Sequence, residues 1–363
     1  LRDANFVINA IQVGGYEPAT VIDFEIPKKY GLKQTIGDTL GIGGIFRGLR
    51  TIPVMLSFVE EMERVCPNAL LMNYTNPMSI LTGAVLQNSS IKTIGLCHSV
   101  QTCVSDLYRF LDWEYPKKGQ GIVSYIAGIN HMAWLLRVEQ DGQDMYPEIK
   151  KQALEMAYPH EDRVRFKIME EFGYYVTESS EHSSEYYPYF IKSKYPEFIE
   201  EYKILLDEYP IRCINQIKAW EEQRDEYVAN EILTHEKSHE YASYIMDAIV
   251  SNKPLSVNVN VLNEGLITNL PNHAVVEVPC LVDANGIQPT VVGALPSQLA
   301  ALNQTHINVH QLVIEAAVSR SKDKLIQAAL LDPHTASELS IDEIKAMVEE
   351  MIIAHQDYLP ILK

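Results

Sequence analysis

The strongest constraint on this chain is a repeating pattern over its first 130 residues. Short apolar runs alternate with helical stretches, and several runs end on polar, chemically able residues. FVINAI (6–11), ALLM (69–72), IKTIGL (91–96) and IVSYIAGI (122–129) read as strands. Residues 50–65 read as a helix, with Met55, Val59 and Met62 recurring at spacings of three and four. Residues 78–86 and 104–111 also read as helical. Strand–helix–strand repetition implies crossover connections and a mostly parallel sheet. HMAWLLRVEQDGQ (131–143) then turns back antiparallel, with Asp141-Gly142 as the hairpin turn. The expected fold class is α/β. A Rossmann-like doubly wound sheet spans 1–130, and a mixed α+β domain spans 131–363.

Residues 146–246 are strongly charged and read as helical. The exception is VTESSEHSSEYYPYF (176–190), whose serine- and aromatic-rich composition reads as loop. Residues 258–302 are β-branched and punctuated by Pro and Gly, which suggests a small β excursion. Residues 309–355 are helical, with a break at DPHT (332–335). The 48 acidic against 30 basic residues give a net charge of −18, which argues against a nucleic-acid partner. No apolar run approaches the roughly 18 residues of a membrane span, so no membrane is expected. Five scattered cysteines suit a reducing cytoplasmic compartment better than a disulfide framework. Leu1 opens in the middle of a helix-to-strand pattern, so the chain is expected to begin inside a longer protein.

In open parallel sheets, ligands bind beyond the carboxyl ends of the strands. NYTNP (73–77), CHSVQ (97–101) and NH (130–131) follow three of the strands. If those strands are neighbours, Asn73, Asn76, Cys97, His98 and His131 face one cleft. Taken singly, each has an ordinary explanation, since Asn-Pro makes turns and cysteine packs as a small apolar residue. Together they point to a site. A thiolate with an imidazole makes a pair of divalent-metal ligands that leaves positions open. Asn76 suits a sugar hydroxyl, and His98 suits acid–base work near neutral pH. A Cys–His nucleophile is the rival use, but nothing nearby signals an oxyanion hole or an orienting group.

Three other segments need weighing. GIGGIFRG (41–48) imitates a dinucleotide loop but follows GDTL, not an apolar strand, and reads as a backbone-approach loop or a plain turn. HEKSH (235–239) satisfies a zinc-protease pattern, but in charged surroundings that make coincidence the better explanation. Segment 176–190 holds Glu178, Glu181, His182, Glu185, Tyr186 and Tyr187. It is either a solvated loop or an active-site loop that supplies a proton acceptor.

NYTNP, GLCHSVQ and GINHMAW resemble glycoside hydrolase family four. VTESSEH, DEYPIRC, EVPCLVDANGIQP and LDPHTA are similar to its melibiase, or α-galactosidase, branch. The resemblance runs from Asn5 to His355. It implies a lactate/malate-dehydrogenase-like fold and a redox-assisted elimination rather than a carboxylate-pair mechanism. In that chemistry NAD⁺ takes hydride from carbon 3 of the sugar, a base removes the proton on carbon 2, and an acid helps the aglycone leave carbon 1. The resemblance assigns Mn²⁺ to Cys97 and His131, substrate hydroxyls to Asn76 and the proton donor to His98. It places the base at Tyr186, with Glu181 second. The family's N-terminal G-x-G-S dinucleotide loop has no counterpart here, so the cofactor-binding residues stay unknown. No cation follows Gly14-Gly15, where Glu17, Pro18, Ala19 and Thr20 stand, so the expected sugar is unphosphorylated. An α-galacturonidase or α-glucuronidase, and a sugar or hydroxy-acid dehydrogenase, remain alternatives. A homodimer or homotetramer is expected.

Overall fold

The computed structural model describes residues 1–156, 161–230 and 240–363. The first half comprises β1 (Phe6–Asn9), α1 (Val21–Lys29), α2 (Gly41–Val65), β2 (Leu70–Asn73), α3 (Met78–Asn88), β3 (Thr93–Gly95) and α4 (Ser99–Phe110). Next come β4 (Ile122–Ile129), β5 (Met132–Gln140), β6 (Gln143–Asp144), α5 (Tyr146–Glu155), α6 (Arg163–Phe172), β7 (Tyr175–Val176) and α7 (Ser180–Tyr186). They are followed by α8 (Phe198–Glu201), α9 (Glu208–Ala229), α10 (Ala242–Ser251), β8 (Leu255–Leu262), β9 (Val275–Asp283) and β10 (Gly286–Pro289). The chain closes with α11 (Ser297–Ser319), α12 (Lys322–Leu331), α13 (Pro333–Glu338) and α14 (Ile341–Ala354).

The fold is α/β, as expected, but the sheet is mixed. Its order is β1-β2-β3-β8-β9-β4-β5-β6, and only β1, β2 and β3 run parallel. β8 and β9 pair antiparallel with each other and with β3 and β4, respectively. The expected β excursion is therefore two central strands that separate β3 from β4. Periodicity reads a strand from its own residues but carries no information about a partner more than a hundred residues away. The limit expected at residue 130 falls in the β4–β5 hairpin, within the same sheet.

Two further expectations are corrected. GIGGIFRG forms the first turns of α2, which starts at Gly41 and not at residue 50. Its glycines serve close packing. A Cβ on Gly43 would lie 2.4 Å from the Gly37 carbonyl oxygen, and one on Gly44 would lie 2.5 Å from the Thr39 carbonyl carbon. The 37–39 segment thus lies directly across the helix. The free N–H groups of that first turn are met by Asp332, which accepts from Gly41, and by Gln34, which accepts from Gly43. Segment 176–190 is also not a plain loop, since it holds the end of β7 and all of α7. Ser179 caps α7 by accepting from the His182 N–H, while Ser183 and Ser184 return hydrogen bonds to local carbonyls. Of the serines that suggested solvent, Ser180, Ser183 and Ser184 are buried hydrogen-bonding residues.

α2 is the one helix among the described residues long and apolar enough to cross a membrane, but it is a core helix. Ile42, Ile45, Phe46, Leu49 and Ile52 are buried among α3, α11, α12 and α14, each contributing about 2 kcal/mol. The helix break expected at DPHT is present, with Asp332 capping α13 at the Thr335 N–H. HEKSH lies outside the described residues.

Candidate active site

The cleft lies at the carboxyl edge of β1, β2 and β3. β2 ends at Asn73, which is fully buried. Its side chain accepts from the Asn9 side chain (2.8 Å) and the Thr75 N–H (3.0 Å) and donates to the Thr75 carbonyl (3.1 Å). Asn73 therefore shapes the turn and does not face the cleft. The turn delivers Asn76, whose amide donates to Asp38 Oδ2 at 3.3 Å. Asp38 sits on the segment pressed against the α2 glycines.

β3 leads into Cys97. The Tyr241 hydroxyl accepts from the Cys97 N–H (2.8 Å) and donates to the Cys97 carbonyl (2.9 Å), which fixes the backbone beneath the thiol. His98 follows at the start of α4. It is half exposed, stacks on Tyr74 and pairs with Glu240 at 2.9 Å. His131 comes from the two-residue turn between β4 and β5, with Ile129 opposite Met132. β4 is not adjacent to β3, yet the end of the hairpin reaches the same cleft.

The central group is Cys97, His131 and Glu178. His131 Nε2 lies 3.1 Å from Cys97 Sγ and 3.4 Å from Glu178 Oε2, and one ligand atom from each of the three falls within 4.8 Å of the others. His131 Nδ1 meets His182 Nε2 at 3.1 Å, and His182 Nδ1 meets Glu185 Oε2 at 2.9 Å. Burial works against the imidazolium of His131, but Cys97 and Glu178 push its pKa up to about 10. Burial likewise opposes the Glu178 carboxylate, and His131 with His182 hold its pKa below the ordinary value. Burial also disfavours the Asp38 carboxylate, but Arg47, His182 and a hydrogen bond from Thr39 keep its pKa low. Arg47 is buried, donating to the Asn76 carbonyl (3.1 Å) and to the Tyr209 hydroxyl (3.1 Å). Two imidazoles, His131 and His182, and two carboxylates, Glu178 and Asp38, therefore share one buried network around the Cys97 thiol.

The cleft encloses about 310 Å³, within the usual range for a small-molecule site. Asn76, Cys97, His98, His131, Asp38 and Glu178 all line it. The two base candidates do not. Tyr186 is buried beneath His131, and its hydroxyl accepts the His131 N–H at 3.4 Å. Burial raises its pKa well above that of an ordinary phenol, with the His131 N–H only partly opposing. Glu181 likewise stands apart from the cleft lining. The α7 segment instead presents Glu178, Ser179 and His182 to the cleft. Sequence reasoning singled out Glu178 and His182 without giving them roles, and it missed Asp38, Arg47 and Tyr209 altogether. His182 and Glu185 have the i, i+3 spacing of one helix face, with Glu178 just ahead of the helix, a signal hidden once the segment was read as loop.

Known proteins share both the sequence and the fold of this chain. Residues 1–113 match the Family 4 glycosyl hydrolase profile, and residues 126–335 match the Family 4 glycosyl hydrolase C-terminal domain. An alpha-galactosidase of Bacillus subtilis is 59% identical over 361 residues, covering 99% of this chain and 83% of that protein. An alpha-galactosidase of Rhizobium meliloti is 33% identical over 374 residues, covering 99% of this chain and 75% of that protein. The fold is shared with a 6-phospho-alpha-glucosidase from gut microorganisms solved in complex with NAD and Mn²⁺. That structure has a TM-score of 0.81 at 23% identity, covering all of this chain and 83% of that one. The chain belongs to glycoside hydrolase family 4.

Proposed function

We propose that this protein hydrolyses α-galactosides of a neutral, unphosphorylated sugar, with NAD and a divalent metal, Mn²⁺, as cofactors. The observation that carries the reading is the Cys97–His131–Glu178 group beside Asn76 at the carboxyl edge of the sheet. The name of the 59%-identical relative supports it. A thiolate, an imidazole and a carboxylate converge from three separate elements with the cleft open beside them, a donor set that fits a divalent metal with free positions for substrate. Bound there, the metal would supply Lewis-acid polarisation of the sugar oxygens. β1, β2 and β3 end together at Asn9, Asn73 and Gly95, and the crevice beyond such an edge fits a dinucleotide, which would supply hydride exchange.

The remaining roles belong to this chain's own groups. Arg47 holds the Asn76 backbone carbonyl, and the Asn76 side chain, which gives one amide N–H to Asp38, turns its amide oxygen to a sugar hydroxyl. His98 is the proton donor in this reading, with Glu240 orienting its ring against Tyr74. Asp38, ionised and facing the cleft, is the carboxylate best placed to accept a proton from a bound sugar, in preference to Tyr186 or Glu181. The lining also bears on substrate charge. Asp38 and Glu178 disfavour a phosphate or a uronic acid, and among the described residues the one arginine in the lining, Arg212, pairs with Glu208. The five cysteines are free thiols, which supports a reducing cytoplasm. α9 leaves Ile211, Ile214, Ile217 and Trp220 exposed, which supports association with further copies into a dimer or tetramer. We place the division between the two parts before β4, between the two profile matches.

The test is hydrolysis of a chromogenic α-galactoside by protein stripped of metal and nucleotide. Activity should return only when Mn²⁺ and NAD⁺ are both added. Full activity in the stripped protein would refute the reading.

A further inference from the structure

We infer that His182 and Glu185 are positioning residues for the metal-ligating nitrogen of His131, acting through a hydrogen-bond chain of fixed direction. The inference rests on the reading of Cys97, His131 and Glu178 as a metal site.

The direction is set at the far end of the chain. Glu185 is buried on α7, and its carboxylate accepts from the Thr35 N–H (2.6 Å), the Ile36 N–H (3.2 Å) and the Gly37 N–H (3.2 Å). Backbone N–H groups can only donate, so the carboxylate is held as an acceptor. Facing it at 2.9 Å, His182 Nδ1 must carry a hydrogen and donate. In a neutral imidazole the other nitrogen is then bare, so His182 Nε2 is an acceptor. It lies 3.1 Å from His131 Nδ1 and 4.0 Å from Asp38 Oδ1, so its hydrogen-bond partner is His131. His131 Nδ1 therefore donates, and the lone pair of Nε2 is left pointing at Cys97 and Glu178, as a ligand requires.

The reverse direction fails at each step. A bare His182 Nδ1 would face a carboxylate. A hydrogen on His182 Nε2 would oppose the one on His131 Nδ1 and favour the His131 tautomer that cannot bind metal. His182 and Glu185 are both almost fully buried, so water does not substitute for either link. The same Glu185 carboxylate fastens residues 35–37, the segment that leads directly into Asp38. One side chain thus ties the tautomer of a metal ligand to the placement of the cleft carboxylate across 150 residues of sequence.

Two variants separate this role from simple packing. His182→Gln keeps an oxygen that can accept from His131 Nδ1, and His182→Leu keeps the bulk without an acceptor. Mn²⁺ affinity is measured from the free-ion electron paramagnetic resonance signal, with circular dichroism as the check on folding. His182→Leu should weaken Mn²⁺ binding by about 10- to 100-fold, with His182→Gln within about fivefold of the parent. Equal affinities for the two variants would overturn the inference. A parent protein that takes up no Mn²⁺ would instead overturn the metal-site reading, and the relay with it. Independently, ¹⁵N spectra of histidine-labelled parent protein should show His182 protonated at Nδ1 and bare at Nε2. A hydrogen on Nε2 alone would contradict the proposed direction.

Discussion

Behind α2, Arg50 and Asp23 form a two-pronged pair at 3.0 and 2.6 Å, and His355 Nε2 approaches the same carboxylate at 2.9 Å. Arg165 and Asp162 make a second buried pair through a single contact at 2.5 Å, with Ser180 and Tyr175 donating to the carboxylate. Across the sheet, Cys97, His131, Glu178, His182 and Asp38 are also largely buried, but they are assembled differently. In the first two clusters, one permanent cation meets one carboxylate away from any cleft. In the third, two carboxylates and a thiol crowd two imidazoles, and the group lines a cleft. Balanced burial is a structural device, whereas unbalanced burial facing solvent leaves ligand capacity unspent. Both kinds of cluster contain buried charges, so it is the arrangement of the charges that distinguishes a site from a strut.

That contrast can be broken by substitution. Cys97→Ser should lower Mn²⁺-dependent activity by about three orders of magnitude, since the Lewis acid is worth several kcal/mol. It should shift the stability of the metal-free protein by less than about 1 kcal/mol. Steady-state rates and denaturation midpoints check the two halves of that expectation. Arg50→Met should show the opposite profile. Stranding the Asp23 carboxylate costs about 3–5 kcal/mol of stability, seen as a lowered denaturation midpoint, while the remaining folded protein keeps its metal affinity.

Glu277 offers a graded case between the two kinds of cluster. It is fully buried on β9, with Asn130 donating to Oε2 at 3.5 Å. Burial pushes its pKa from 4.5 up to about 7, with His131 and the hydrogen bonds from Asn130 and Asn260 opposing. Between those two values the folded state holds a proton that the unfolded chain has released, so stability falls as pH rises through the window. The loss is at most about 3 kcal/mol above pH 7. Glu277→Gln should flatten that part of the profile, matching the parent near pH 4.5 and exceeding it at pH 8. Denaturation of the metal-free proteins across that range reads the difference. At the small end, Glu61→Gln removes an exposed partner of Arg64 and should change stability by under about 0.5 kcal/mol.

The sequence carried the local chemistry well and the long-range pairing poorly. Cys97, His98, Asn76 and His131 were legible because each sits where an apolar strand stops, and strand ends in such sheets face ligands. Glu178 and His182 were visible as residues but not as a constellation, because serine content masked the short helix that starts just after Glu178 and carries His182. Asp38 was not legible. It reaches the cleft only because Gly43 and Gly44 let the 37–39 segment lie against α2, and those glycines suggested a dinucleotide loop. Strands β8 and β9 were legible as strands, but their position between β3 and β4 depends on partners distant in sequence. Asn73 looked like a site residue, but its side chain is consumed by the turn it builds.

The central claim is that sugar and cofactors meet at the Cys97–His131–Glu178 cleft in a reaction that removes and returns the proton on carbon 2. Hydrolysis of an α-galactoside in heavy water, with the galactose examined by NMR, tests it most directly. Deuterium is expected at carbon 2 of the released sugar, formed only with Mn²⁺ and NAD⁺ present. Galactose released with its carbon 2 proton fully retained would contradict it.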